Sequence, residues 1–222
     1  MIVFKAFLSA DHNDLYFYKD FPKTACGKLA GNVIEVPRGY LFFPPWYEGD
    51  DPWEKGFAQT KKGCDANLVT LDLDAHWPGM FPAGWTDLTG DRVPGHIQIS
   101  LEGVVDDNNM NLPVGLGIFL ERVQSPLIPV KGFNEGLGLF HMRGFEENKN
   151  FSLLDIYWKK DGHYGFTIIN CTSFLSGPYS CEQKWYFRKY KIIVSVTYRP
   201  EYLRYWAIIN KDVESFIVEH FK

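Results

Sequence analysis

The sequence predicts an α+β fold, a mostly antiparallel β-sheet with a C-terminal helix packed on one face, divided into two lobes. Three observations predict it. Short apolar runs recur along the chain between Gly, Pro, Asn and Asp residues, the pattern of strands joined by turns. The aromatic share is high, with 7 Trp, 12 Tyr and 18 Phe making 17% of 222 residues, and large flat side chains favour pleated surfaces. Only the last segment carries a sustained apolar stripe at helical spacing.

Taken in order, residues 32–36 and 40–43 read as short strands separated by Pro37-Arg38-Gly39. Residues 44–64 form a polar loop rich in aromatics. A strand follows at 67–73, then a loop from 78 to 95 carrying Phe81 and Trp85 beside Trp77. His96-Ile97-Gln98-Ile99-Ser100-Leu101-Glu102 alternates with period two, as a half-buried strand does. Asp106-Asp107-Asn108-Asn109 is a solvated turn and the expected lobe boundary, giving residues 1–107 and 108–222 as the two units.

In the second half, Gly115-Leu116-Gly117-Ile118-Phe119 recurs as Gly136-Leu137-Gly138-Leu139-Phe140. Neither run continues as a phosphate-binding loop, so both read as strands in which glycine permits close backbone approach. Residues 151–159 and 163–170 flank Lys160-Asp161-Gly162, a strong hairpin pattern. Strands at 184–188 and 191–198 complete the sheet. The helix begins at Pro200, with Glu201 well placed on the dipole. Leu203, Trp206, Ile209, Val213, Phe216, Ile217 and His220 then make one stripe. Asn210-Lys211-Asp212 is a candidate break in it.

Composition excludes several classes. A net charge of −4, from 23 basic and 27 acidic residues, does not suit nucleic acid or an anionic membrane surface as main partner. No apolar run is long enough to span a bilayer. Residues 1–10 are too short and interrupted for a complete secretory signal, so the chain reads as a mature form or one keeping a stub.

Chemistry-bearing motifs are sparse. Asp72, Asp74 and His76 alternate and would share one strand face, where two carboxylates and an imidazole can hold a cation or move a proton. An exposed strand face running into Trp77-Pro78-Gly79 accounts for them more simply. No nucleophile elbow surrounds Ser176 or Ser9, and no local pattern pairs Cys26 with a histidine. His163 reads as a strand start, and His220 sits favourably at the helix end. Asn150 and Asn170 match the glycosylation acceptor pattern. The expectation is therefore no enzyme, no metal and no cofactor.

The loop at 44–54 is different. Trp46, Tyr47 and Trp53 alternate with Glu48, Asp50, Asp51 and Glu54. Such aromatics anchor protein interfaces, and acidic neighbours steer a basic partner. Sugar stacking and folding back onto the core are the competing readings. Partner binding by these seven residues is the expectation taken forward.

Four cysteines allow two readings. Cys171 and Cys181 bracket a turn-rich loop whose neck a disulfide would close, leaving Cys26 and Cys64 as a second pair in an oxidising compartment. The alternative is four buried thiols.

The segment Asp161-Gly162, a strand, Cys171, a loop, Cys181, then Val194-Ser195-Val196-Thr197-Tyr198-Arg199-Pro200-Glu201-Tyr202-Leu203 resembles the end of periplasmic immunity proteins that protect Gram-negative bacteria from type VI secretion effectors. Trp206, Ile209, Val213 and Phe216 on the following helix fit the same resemblance. Cys26-Gly27-Lys28 followed by Val33-Ile34-Glu35-Val36-Pro37 is similar to the start of lipase-immunity proteins. The resemblance implies a non-enzymatic inhibitor that binds one cognate toxin in the periplasm, with a phospholipase effector as the finer expectation. A secreted carbohydrate-binding β module and a metal-dependent hydrolase are the rival classes.

Overall fold

The computed structural model describes residues 23–51, 62–83, 94–104, 131–144, 154–161, 165–172 and 180–222. Its centre is one large antiparallel sheet. Strands β1 (Thr24–Leu29) and β2 (Asn32–Pro37) form a separate hairpin, while β3 (Trp46–Tyr47), β4 (Leu68–His76), β5 (Phe81–Pro82), β6 (His96–Gly103), β7 (Lys131–Asn134), β8 (Leu139–Gly144), β9 (Leu154–Asp161), β10 (Gly165–Thr172), β11 (Ser180–Phe187) and β12 (Ile192–Tyr198) build the sheet. The order is β3-β4-β6-β12-β11-β10-β9-β8-β7, with β5 also paired to β4. Helix α1 (Trp206–His220) follows a 3-10 turn, Pro200–Tyr205.

The expected α+β class stands: an antiparallel sheet with one C-terminal helix against it. Strands from before and after residue 107 in sequence pair directly, β6 with β12. Residues 106–109 lie outside the described residues.

Register explains the core. Leu73, Ile99 and Val196 are cross-strand neighbours, as are Leu71, Leu101 and Val194. All six are buried, so these rows share the covered face. The helix covers it with Trp206, Ile209, Val213, Phe216 and Ile217, positions that fall on one side of a 3.6-residue period. Three indole N–H groups fasten the helix. Trp77 donates to Asp212 at 2.9 Å, Trp185 to Glu214 at 3.0 Å, and Trp206 to the Leu137 carbonyl at 2.9 Å. Gln183, wholly buried, donates to the Trp206 carbonyl and accepts from Tyr198, so no polar end is wasted there.

The β1–β2 hairpin packs beside the helix. It turns through Ala30-Gly31, both with positive φ (48° and 81°), the geometry that matches strand twist. Its approach to the sheet is close enough to require glycine. A Cβ on Gly27 would lie 2.6 Å from the Leu68 side chain, and one on Gly103 would lie 2.8 Å from the Ala30 nitrogen. Phe221 bridges to Ile34, and Lys222 pairs with Glu35, so the chain end straps the hairpin down.

Several elements differ from the sequence reading. Residues 40–43 do not form a strand: Arg38–Tyr40 is a 3-10 turn, and only Leu41 bridges to β4. Pro37 starts that turn, and Pro44-Pro45 carry no N–H to extend a ladder. Trp46–Tyr47, expected in a loop, pairs with β4. Gly136 and Gly138 lie in the β7–β8 turn, where Gly138 has φ +66°, rather than within a strand. The helix runs unbroken through Asn210-Lys211-Asp212 because flanking Ile209 and Val213 are both buried. Strand β1 was not anticipated. Residues 116–123 lie outside the described residues.

Candidate partner-binding site

The acidic, aromatic loop hangs on the outer edge of β4. Trp46 sits opposite Thr70 and Tyr47 opposite Leu68. The register shifts between Trp46 and Tyr47, an irregularity in the pairing, and the two aromatics end in different surroundings. Trp46 is 37% exposed and donates its indole N–H to the Asp50 carbonyl at 3.2 Å. Tyr47 is buried, its hydroxyl donating to the Cys26 carbonyl at 2.8 Å. Burial, reinforced by nearby Asp50, pushes that phenol above its ordinary range. Tyr47 is thus a core residue, and the expectation that it faces a partner is corrected.

The acidic residues are also sorted. Asp50 lies 2.6 Å from Lys62, its side chain largely covered. Lys62 further donates to the Glu48 carbonyl at 3.0 Å. Glu48 is exposed and accepts from Asn67 at 2.9 Å, and Asp51 is exposed. Trp53 and Glu54 lie outside the described residues. Most of the negative charge expected from Asp50 is therefore cancelled locally, and Glu48 and Asp51 remain toward solvent.

The Cys26–Cys64 disulfide and the Lys28 N–H to Ala66 carbonyl bond hold residues 62–67 beside β1. That segment supplies Lys62 and Asn67, the two partners that shape the loop. The second disulfide joins Cys171 and Cys181, directly opposed on β10 and β11 and wholly buried. Both expected pairs are present.

Two exposed aromatics that the sequence reading left aside join Trp46 on this edge. Phe43 is 55% exposed, next to Phe42, whose N–H bonds to the Asp72 carbonyl. Phe81, on β5 opposite His76, is 66% exposed. The β4 positions they flank, from Thr70 to His76, span about 20 Å by strand rise. The available signal was the prolines: Phe43 precedes Pro44-Pro45 and Phe81 precedes Pro82, and such residues cannot extend into buried ladders.

Asp72, Asp74 and His76 do share a face, and the register sets Asp74 opposite Gln98 and His76 opposite His96. Asp74 is buried rather than exposed. Asn170 sits on β10 beside disulfide-bonded Cys171. His220 contacts the Phe216 carbonyl at 2.7 Å at the helix end, as expected. His163, Ser176 and Asn150 lie outside the described residues. No helix among the described residues is long and apolar enough to cross a membrane.

No family model matches the chain, and no curated protein matches it. Among solved structures, the chain is similar to the iron-regulated outer membrane lipoprotein FrpD of Neisseria meningitidis. Identity is 12%, with 89% of this chain and 93% of that one covered, at a TM-score of 0.50. It is also similar to an immunity protein of the Stenotrophomonas maltophilia type IV secretion system, at 15% identity, 90% and 94% coverage and a TM-score of 0.48. At such identities the FrpD likeness concerns the fold alone.

Proposed function

We propose that this chain is an immunity protein that binds and inhibits a cognate antibacterial toxin in the periplasm, a phospholipase being the finer form of this reading. The observation that carries it is the row of exposed aromatics, Phe43, Trp46 and Phe81, held on one sheet edge. Large rigid rings anchor interfaces at small entropic cost. The frame beneath is stiff: main-chain bonds to β4 from residues 42 and 83, the Tyr47–Cys26 bond and a disulfide. A preorganised surface of this kind loses little on binding. Two disulfides fit an oxidising compartment such as the periplasm. The sequence resemblance to periplasmic immunity proteins supports the same reading.

In this reading the partner-binding set is Phe43, Trp46, Glu48, Asp51 and Phe81, with Trp53 and Glu54 retained from the sequence. Glu48 and Asp51 favour a toxin with a basic rim. The test is titration of the purified chain against the product of the neighbouring gene, with Trp46→Ala, Phe43→Ala and Phe81→Ala beside it. Wild-type binding should be saturable and abolish the toxin's activity. At least one Ala variant should lose about 2 kcal/mol, roughly thirtyfold in affinity. No complex, or full affinity in all three folded variants, overturns the proposal.

A further inference from the structure

We propose that the Cys26–Cys64 disulfide is a redox latch on the acidic, aromatic loop. Closed, it holds residues 46–50 in one shape; opened, it releases them and weakens partner binding. The proposal rests on the reading of that loop as the partner surface.

The loop takes its polar contacts from the segment that the disulfide tethers, residues 62–67. Lys62 Nζ lies 2.6 Å from Asp50 and donates to the Glu48 carbonyl at 3.0 Å. Asn67 donates to the Glu48 carboxylate at 2.9 Å, and the Glu48 N–H returns to the Asn67 carbonyl at 2.9 Å. The Tyr47 hydroxyl donates to the Cys26 carbonyl at 2.8 Å and lies 3.4 Å from the Lys62 carbonyl. The two half-cystines thus sit on the two stretches of chain between which Tyr47 is held.

The tethered segment has few other fastenings. Gly63, Cys64 and Asp65 are exposed, so little burial holds them. Among the described residues, its further ties to β1 are the Lys28–Asn67 bridge, the Lys28 N–H to Ala66 carbonyl bond at 2.8 Å and the Lys28–Asp65 pair at 3.5 Å. The Asp65 side chain is fully exposed in that pair, and exposed ion pairs contribute little. The disulfide joins residues 38 apart in sequence, so opening it restores to that loop the conformations that the bond denies it. The Trp46–Tyr47 pairing with β4 is two residues long, too short to order the loop by itself.

Cys64 is the accessible half of the bond, Cys26 being half-buried on β1. A thiolate of a small dithiol attacks the Cys64 sulfur, forms a mixed disulfide and expels the Cys26 thiolate. The reductant's second thiolate then attacks the reductant sulfur in that bridge, closes a cyclic disulfide and expels the Cys64 thiolate. The two dithiol protons end on Cys26 and Cys64, and the two electrons that the dithiol loses reduce the cystine. Cys171 and Cys181 are wholly buried and stay joined. Ordering the released loop then falls on the binding step, which lowers affinity. The latch ties toxin capture to an oxidising compartment.

The test opens the bond in the full chain in two ways. One is brief native treatment with dithiothreitol, with mass spectrometry showing Cys171–Cys181 intact. The other is the double variant Cys26→Ser, Cys64→Ser, which needs no reductant. Hydrogen exchange reads the loop without any partner. The Glu48 and Lys28 amides, bonded to Asn67 and Ala66, should exchange at least about tenfold faster in both opened forms, with β10 and β11 unchanged. Affinity for the neighbouring gene's product should fall at least about tenfold, and return when the reduced chain is reoxidised with glutathione disulfide. Unchanged exchange at Glu48 and Lys28, or full affinity with the bond open, overturns the latch. So does loss of protection in β10 and β11 together with the loop, which would make the bond a staple for the whole fold. An oxidised chain that does not bind overturns the partner-surface reading instead, and the exchange result still decides the latch.

Discussion

The Tyr47 hydroxyl donates to the Cys26 carbonyl at 2.8 Å, so the residue at the centre of the acidic loop is tied to the hairpin strand that carries a disulfide. Its neighbour Trp46 faces outward. The two therefore separate stability from binding. Tyr47→Phe keeps the ring and removes the hydroxyl that donates to the Cys26 and Lys62 carbonyls. We expect a loss of about 1–2 kcal/mol in denaturant unfolding with affinity for the toxin unchanged. Trp46→Ala should do the reverse, with stability within about 1 kcal/mol of wild type and weakened binding.

Trp206 is the helix anchor. It is buried, its indole N–H bonds to Leu137, and its carbonyl takes a bond from buried Gln183. Trp206→Ala should destabilise by about 3–5 kcal/mol through the cavity and the orphaned Leu137 carbonyl. Thermal unfolding measures it, and an unchanged midpoint would place the stripe away from the sheet.

Glu214 supplies a pH prediction. Burial raises its pKa, and the bond from Trp185 lowers it only partly. A raised folded-state value means the charged form is disfavoured in the fold. The contribution is therefore most favourable below the ordinary glutamate value and is lost as pH rises through the higher folded one. Glu214→Gln keeps an acceptor for Trp185 and removes the charge. Its melting midpoint should exceed wild type near neutral pH, and the difference should shrink as pH falls to about 4.

The regular part of this fold was legible in local pattern. Alternation in 96–102 marked β6, Asp161-Gly162 marked the β9–β10 hairpin, and the apolar stripe marked α1. What was not legible depends on tertiary pairing. Strand β1 buries Ala25, Gly27 and Leu29 in strict alternation, but Ala and Gly give that face little apolar signal in the sequence; β2 and the sheet make it a strand. Trp46 and Tyr47 read alike in sequence, and their different burial goes with a break in the register against β4 that no local pattern announces. Asp50 read as free charge because Lys62 is distant along the chain.

The two disulfides should differ in access. Cys171 and Cys181 are wholly buried, whereas Cys64 is exposed. Thiol–disulfide exchange needs the attacking thiolate to reach a sulfur. Under native conditions a dithiol should therefore reduce Cys26–Cys64 first, with Cys171–Cys181 protected until the sheet opens. Alkylation and peptide mass spectrometry over time give the order. Replacing Cys171 and Cys181 together should cost about 2–3 kcal/mol through the unfolded state. Simultaneous release of all four thiols would contradict the burial difference.

The acidic residues of the loop should not behave alike. Asp50 is paired with Lys62, and its second oxygen is buried without a hydrogen bond. Asp50→Asn strips a covered pair of one charge and leaves Lys62 beside the Tyr47 ring, so it should cost about 1–3 kcal/mol of stability. Asp51 is exposed, and Asp51→Asn should cost less stability than Asp50→Asn. Its charge acts at a distance on the approach of a basic partner, an effect that salt screens beyond about 8–10 Å. In stopped-flow association with the toxin, Asp51→Asn should slow the on-rate at low salt and match wild type at high salt, with the off-rate unchanged. Asp50→Asn should affect unfolding first. If Asp50→Asn slows association as Asp51→Asn does, at unaltered stability, the Lys62 pair does not neutralise it, and the whole acidic loop faces the partner.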